Sequence, residues 1–153
     1  MMSIDARLAE LGIDLPQPAS AVANYVPFVR TGNLLHISGQ LSNDASGGLK
    51  GTVGVDVDQD AAVQGARLCG INLMAQMKAA LDGDLSRVVR VVKLGGFVQA
   101  GPEFTAIPAV INGCSDLMVE VFGDAGRHAR SAVGVYRLPL GFAVEVDAIV
   151  EVK

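Results

Sequence analysis

The sequence predicts an α+β fold, with one mixed β-sheet, two long helices packed on one face and an additional N-terminal helix. Residues 144–152 alternate between apolar and mainly acidic side chains, which is the period of a half-buried strand. Two stretches, near 58–81 and 108–122, repeat apolar residues at helical spacing. The predicted order along the chain is strands, helix, strand, helix, strands, which favours a single α+β domain.

The first part of the chain is divided by glycine, proline and asparagine. Residues 3–12 are predicted to form a short helix, because a serine precedes them as a possible N-cap and a glycine ends them. Tyr25–Arg30 and Leu34–Ser38 are predicted strands, joined by a turn that contains Gly and Asn. Residues 42–54 are rich in Gly, Asn, Asp and Ser, and we expect a surface loop there.

The two long helices enclose a predicted strand. Asp58 is a candidate N-cap for the helix at about 58–81. The Val-rich stretch 87–99 is the predicted strand, and its Gly95–Gly96 pair indicates a bulge or a close-approach point. The second helix, near 108–122, has a proline in its first turn, where proline is tolerated.

The C-terminal part is predicted to be a hairpin. Residues 131–137 would pair with residues 144–152 through a turn at Leu138–Gly141. With a four-residue turn, Gly134 faces Glu145.

In that hairpin Arg130, Ala132 and Gly134 would share one face with Glu145 and Asp147. Arg130 would lie about 13 Å from Glu145, at ~3.3 Å per residue. The small side chains between them leave a gap that suits a small anionic ligand, which arginine binds through two parallel hydrogen bonds. The alternative is that Arg130 is an ordinary cation at a strand end and Glu145 a solvated edge acid.

Length, composition and net charge indicate how many domains the chain has and which kinds of partner it is expected to bind. The 153 residues fit one domain, 1–153, in which residues 1–20 form an N-terminal helical extension. Hydrophobic residues make up 50% and charged residues 18%, so we expect a second subunit to cover part of the apolar surface; an Ala- and Val-rich core is the alternative. The net charge of −4 and the pI near 5.0 argue against a nucleic-acid partner.

Several site classes and locations are not expected. The sequence has no metal-ligand cluster, no phosphate-binding glycine loop and no nucleophile elbow around Ser38. No apolar run reaches the ~18 residues that a membrane helix needs, and no signal peptide begins the chain. Cys69 and Cys114 lack redox or metal spacing, which fits a reducing cytoplasm, and both are expected to be buried.

Several motifs together resemble the Rid/YjgF family over nearly the whole chain. The C-terminal motif lies in Ala129–Val133, Arg137–Pro139 and Val144–Ile149. The N-terminal motif lies in Tyr25–Val26 and in Leu35–Gln40, which contains Ser-Gly-Gln. The resemblance implies a chorismate-mutase-like fold and a homotrimer with its sheets inside and its helices outside. It also implies three sites in clefts between subunits and hydrolysis, without a cofactor, of enamines and imines such as 2-aminoacrylate to 2-oxo acids and ammonia.

The resemblance also implies roles for individual residues. Arg130 would hold the substrate carboxylate, Glu145 would position the attacking water, and Tyr25 would close the cleft from the adjacent subunit. The other implied ligand contacts are Ser38, Gly39, Ala132 and Asn112. Alternatives remain for two of these residues: Tyr25 as a buried aromatic residue, and Asn112 as a helix residue that bonds a loop backbone.

The chain departs from the family pattern at Ala132, where many family deaminases have a cysteine. Water attack needs no thiol, but the pocket shape changes. Two alternatives therefore stand beside the deaminase: a non-catalytic binder or sensor of 2-oxo acids, and the ribonuclease or translation-inhibitor role of some relatives. A basic patch at Arg127, His128, Arg130 and Arg137 would favour the ribonuclease, whereas the acidic net charge and the 5% aromatic content argue against it.

Overall fold

A computed structural model describes residues 2–21 and 23–153, and it confirms the α+β prediction. The sheet has five strands in the order β1-β2-β5-β3-β4. These strands are β1 (Phe28–Thr31), β2 (Leu34–Leu41), β3 (Val88–Gln99), β4 (Ala129–Val135) and β5 (Val144–Val152). The sheet is mixed, because β3 and β4 are parallel and the other pairs are antiparallel.

Both long helices lie on one face of this sheet, as predicted. Helix α2 (Gln59–Ala80) packs on β2 and β5, and α3 (Ile107–Phe122) packs on β3 and β4. Their contact surface with the sheet forms the core, which includes Leu73, Leu94 and Leu117, all fully buried. The covered side of the sheet is the helix face, and the other side is the open face.

Local sequence signals fix the ends of the helices. The Asp58 side chain accepts a hydrogen bond from the amide of Ala61 and caps α2, as predicted. The short helix α1 (Ile4–Glu10) begins in the same way, because Ser3 accepts from the amide of Ala6. Within the described ranges, no helix combines the length and apolar character that crossing a membrane requires.

Two details of the predicted strands differ. Strand β1 begins at Phe28, later than predicted, because Pro27 has no N–H to donate to a ladder. The register shifts of β3 lie near its start and not at Gly95–Gly96. The two glycines are close-approach points instead: a Cβ on Gly96 would lie 2.7 Å from carbons of Ile111, and one on Gly95 would collide with the Asp147 carboxylate.

The predicted hairpin between β4 and β5 is wrong. Strand β5 lies between β2 and β3, whereas β4 pairs only with the far edge of β3. The connection between the two strands passes the end of β3, where the buried Gln99 side chain accepts from the Leu138 amide at 2.8 Å and donates to the Gly51 carbonyl at 2.9 Å. Central placement lets β5 bury its whole Val-rich face and pair on both edges.

Candidate functional site

Arg130 lies on the helix face of edge strand β4, next to α3. Its Nη1 atom donates to Asn112 Oδ1 at 2.8 Å and to Ser115 Oγ at 3.1 Å. Both acceptors lie on α3, one turn apart, so the helix holds one side of the guanidinium. Asn112 therefore accepts a hydrogen bond from the Arg130 side chain, and no bond from Asn112 to a loop backbone is found among residues 2–21 and 23–153.

The other side of the Arg130 guanidinium is free to bind a ligand. Nη1 uses both of its hydrogens on α3, and neither Nε nor Nη2 has a partner among residues 2–21 and 23–153. These two nitrogens form the edge of the guanidinium that pairs with a carboxylate through two parallel hydrogen bonds. The arrangement is that of an anion clamp whose orientation is already fixed.

His128 extends the network behind Arg130. Its Nε2 lies 2.9 Å from Ser115 Oγ, and its Nδ1 lies 2.6 Å from the carbonyl oxygen of Gly126. A carbonyl oxygen only accepts, so Nδ1 carries a hydrogen; if that is the only ring hydrogen, Nε2 accepts from Ser115. Both ring nitrogens are thus engaged within the protein.

Glu145 lies on the open face of the sheet, close to the backbone of β2. A Cβ placed on Gly39 would lie 2.6 Å from Glu145 Oε2 and 2.8 Å from its Cδ, so a larger residue at position 39 would require this carboxylate to move. Burial raises the pKa of Glu145 above its usual value, and the neighbouring charge of Asp147 raises it further. Burial also raises the pKa of Asp147. Glu145 is therefore a stronger base than an exposed glutamate.

Tyr25, Ser38 and Gly39 line a cavity of about 520 Å³ at the edge of β2. The Ser38 hydroxyl donates to the Val26 carbonyl at 2.8 Å and so fixes the segment that carries Tyr25. The Tyr25 side chain is 53% exposed in a single chain, so it is not part of that chain's core. Leu140, 78% exposed, also lines this cavity.

Arg130 and Glu145 do not share a face, and this corrects the spacing argument. Leu94 of β3 pairs with Arg130 and points to the helix face, whereas Phe97 pairs with Glu145 on the open face. Ala132 and Gly134 lie on the helix face with Arg130, away from Glu145 and Asp147. The predicted 13 Å gap between the cation and the acid within one chain therefore does not exist.

The predicted site residues thus form two groups on one chain. The first group consists of Arg130, Asn112 and Ala132 on the helix face. The second consists of Glu145, Gly39, Ser38 and Tyr25 around β2. Sequence reasoning missed Ser115, His128 as its partner, and Leu140. The helical spacing of Asn112 and Ser115 could have indicated a shared partner. In the described part of the chain, no group of three or more His, Cys, Asp or Glu could hold a metal ion.

A match to the family described as "YjgF/chorismate_mutase-like, putative endoribonuclease" spans residues 5–151. The chain belongs to this YjgF family. Protein TCP17 of Trypanosoma cruzi is 50% identical over 152 residues, which cover 98% of this chain and 94% of that protein. A 2-iminobutanoate/2-iminopropanoate deaminase of Dermatophagoides farinae is 30% identical over 139 residues, 90% of this chain and 91% of that protein.

The same fold occurs in a protein whose crystal structure is known. Protein Atu1372 of Agrobacterium tumefaciens, described as having unknown function, superposes with a TM-score of 0.92 at 52% identity. The match covers 98% of this chain and 92% of that chain. Membership in the YjgF family, expected from the motifs, is confirmed by the family match over residues 5–151.

Proposed function

We propose that this YjgF-family protein hydrolyses small enamine and imine acids of the 2-aminoacrylate type to 2-oxo acids and ammonia, in clefts between the subunits of a homotrimer. One observation carries the proposal: the free edge of the Arg130 guanidinium and the Glu145 carboxylate lie on opposite faces of the sheet. A ligand of a few atoms can reach both only if two copies of the chain contribute one residue each.

The surface of a single chain supports self-association. The open face exposes the apolar side chains of Val29, Leu34 and Val133, and β4 is an edge strand. Exposed apolar area of this kind is typical of protein interfaces. A neighbouring copy whose β4 edge approached this face would bring its own Arg130 towards the Glu145 and Tyr25 group. The 30% identity with an imine deaminase gives independent support.

The proposed reaction depends mainly on how the substrate and the attacking water are oriented, because the imine carbon is already electrophilic. An enamine first takes a proton at its terminal carbon and becomes an imine, which is electrophilic. Arg130 binds the carboxylate, and Glu145 aligns a water and accepts one of its protons as the water oxygen bonds to the imine carbon. Glu145 then returns this proton to the nitrogen of the resulting carbinolamine. The C–N bond breaks, ammonia leaves, and loss of the hydroxyl proton gives the 2-oxo acid.

The direct test is competition between the protein and semicarbazide for the imine. 2-Iminopropionate and 2-iminobutyrate are generated in situ, and the loss of the imine to semicarbazide is followed with and without protein. We expect micromolar wild-type protein to accelerate hydrolysis and Arg130→Ala to give no acceleration. If the wild-type chain gives no acceleration but calorimetry detects 2-oxobutyrate binding, the non-catalytic binder is correct instead.

A mixing experiment tests the shared site. Arg130→Ala and Glu145→Gln should each be inactive alone, but refolding them together creates sites that combine the intact residues of two chains. A random 1:1 mixture should recover about a quarter of the wild-type activity, because both intact residues meet in one of four site types. No recovery would mean that both residues come from one chain, and a monomeric mass in solution would contradict the trimer.

The ribonuclease alternative has less support. The two ring nitrogens of His128 contact Ser115 and the Gly126 carbonyl within the chain, and these contacts connect the histidine to Arg130 and not to a nucleic-acid surface. Arg127 pairs with Asp124, and no continuous basic surface follows from these contacts.

A further inference from the structure

We infer that Ser115 and His128 are positioning residues that set the orientation of the Arg130 guanidinium before a carboxylate arrives. The inference rests on the proposed function, because it takes Arg130 as the carboxylate-binding residue. It adds two residues to the site that neither the family motifs nor the relatives identify, and it assigns them a role through Arg130 and not through contact with the substrate.

The direction of each hydrogen bond in the network is fixed by the one before it. The Gly126 carbonyl accepts from His128 Nδ1, and with a single hydrogen on the ring Nε2 then accepts from the Ser115 hydroxyl. The Ser115 hydrogen is then committed to His128, and the lone pairs of Oγ are left for Arg130 Nη1 at 3.1 Å. Each step removes an alternative orientation of the next group.

Without His128, the Ser115 hydroxyl could donate to a backbone carbonyl of its own helix instead. A serine within a helix can turn its hydroxyl back to the carbonyl four residues earlier, which is that of Ile111. Because His128 occupies the Ser115 hydrogen, this back-bond is not made in the structure. The imidazole therefore acts on Arg130 indirectly, by keeping the serine oxygen turned towards it.

The two α3 contacts also determine which guanidinium edge remains open. Asn112 and Ser115 together take both hydrogens of Nη1, which leaves Nε and Nη2 as the binding edge. If Ser115 were lost, Nη1 would keep one free hydrogen and the group could rotate about its last bonds. Binding would then need to order a side chain that is already ordered in the native protein, and affinity would fall.

The test measures carboxylate affinity and does not depend on turnover. Calorimetry with 2-oxobutyrate is carried out on the full chain, wild type, Ser115→Ala and Ser115→Thr. We expect about a 10-fold weaker Kd for Ser115→Ala, the usual size for a hydrogen bond to a charged group, and near wild-type affinity for Ser115→Thr, which keeps the hydroxyl. Ser86→Ala is the matched control, because it loses a hydroxyl hydrogen bond to Asp84 far from the site.

His128 is tested in the same way. His128→Ala should weaken the Kd, and His128→Gln should recover part of the loss because its amide oxygen can accept from Ser115. If the Ser115→Ala chain does not fold, as judged by circular dichroism, this pair makes the same comparison. In turnover assays, the variants should raise KM more than they lower kcat, whereas a general loss of structure would lower the amount of active protein and leave KM unchanged.

Nitrogen NMR provides a readout independent of ligand. The 15N resonances of the His128 ring should show a protonated Nδ1 and an unprotonated Nε2, and Ser115→Ala should move the Nε2 resonance. An Nε2-protonated ring, an unchanged Kd in Ser115→Ala, or a wild-type chain that binds no 2-oxobutyrate would each overturn the inference. A wild-type chain that binds 2-oxobutyrate but does not hydrolyse imines would instead refute the proposed function.

Discussion

Replacing Gly39 by alanine tests whether the position of the Glu145 carboxylate limits turnover. A Cβ at residue 39 would lie 2.6 Å from Glu145 Oε2, whereas ordinary contacts begin at 3.4 Å. To restore an ordinary contact distance to the added Cβ, the Glu145 carboxylate must move by about 0.8 Å. A misplacement of about 1 Å can lower the rate by about 100-fold, so we expect a loss of this order in kcat.

The assay separates catalysis from binding. Rates are measured with 2-iminobutyrate, and the affinity for 2-oxobutyrate is measured by calorimetry. Because Arg130 lies on the other face of the sheet, Gly39→Ala should change the Kd by less than about 3-fold while kcat falls. A lower kcat with a nearly unchanged Kd is the result expected when only the Glu145 carboxylate is displaced.

The control is Gly83→Ala, which follows α2 and lies outside the site. Gly83 has a φ of +90° and no atoms within 4 Å of an added Cβ, so the substitution strains the backbone without displacing a neighbour. It should lower the free energy of unfolding and leave kcat unchanged. Wild-type kcat in Gly39→Ala would show that the reasoning about the Glu145 carboxylate is incorrect.

Three further predictions follow from burial and close packing. Asp147→Asn removes a negative neighbour, so the pKa of Glu145 should fall and the acid limb of the kcat–pH profile should move to lower pH. Burial raises the pKa values of Glu145 and Asp147, so the native state loses stability as the pH rises through these raised values. Asp147→Asn removes one of these carboxylates and should therefore raise the urea midpoint at pH 7 but not at pH 3. Gly113→Ala would drive a Cβ into the Val63 carbonyl, and we expect a loss of about 3 kcal/mol in urea unfolding. Burial raises the pKa of Cys114 to about 12, so neither buried cysteine should react with a disulfide reagent until the protein is unfolded.

Much of the fold could be predicted from local sequence, because caps, turns and periodicity act over a few residues. Asp58 begins α2 through its own side chain, and the alternation of residues 144–152 places β5. Strand partners are different, since they depend on contacts between distant residues. The position of β5 beside β3 depends partly on Gln99, which holds the β4–β5 connection from inside the protein, and no local pattern shows such a contact.

The same distinction applies to the candidate site. The motifs identified Arg130 and Glu145 as the important charges, but their faces follow from strand order, and an incorrect partner for β4 placed them together. Ser115 and His128 carry no motif. Their relation to Arg130 arises only where α3 crosses β4, so the structure was needed to find it.

The central position of β5 has a consequence for how the chain is made. Strands β2 and β3 leave the ribosome well before residues 144–152, yet neither can pair with its inner neighbour until β5 arrives. During that interval both inner edges offer unpaired backbone groups to other chains, which is a hazard for aggregation. Synthesis speed and chaperone access over this last segment should therefore influence the yield of folded protein more than the same variables earlier in translation.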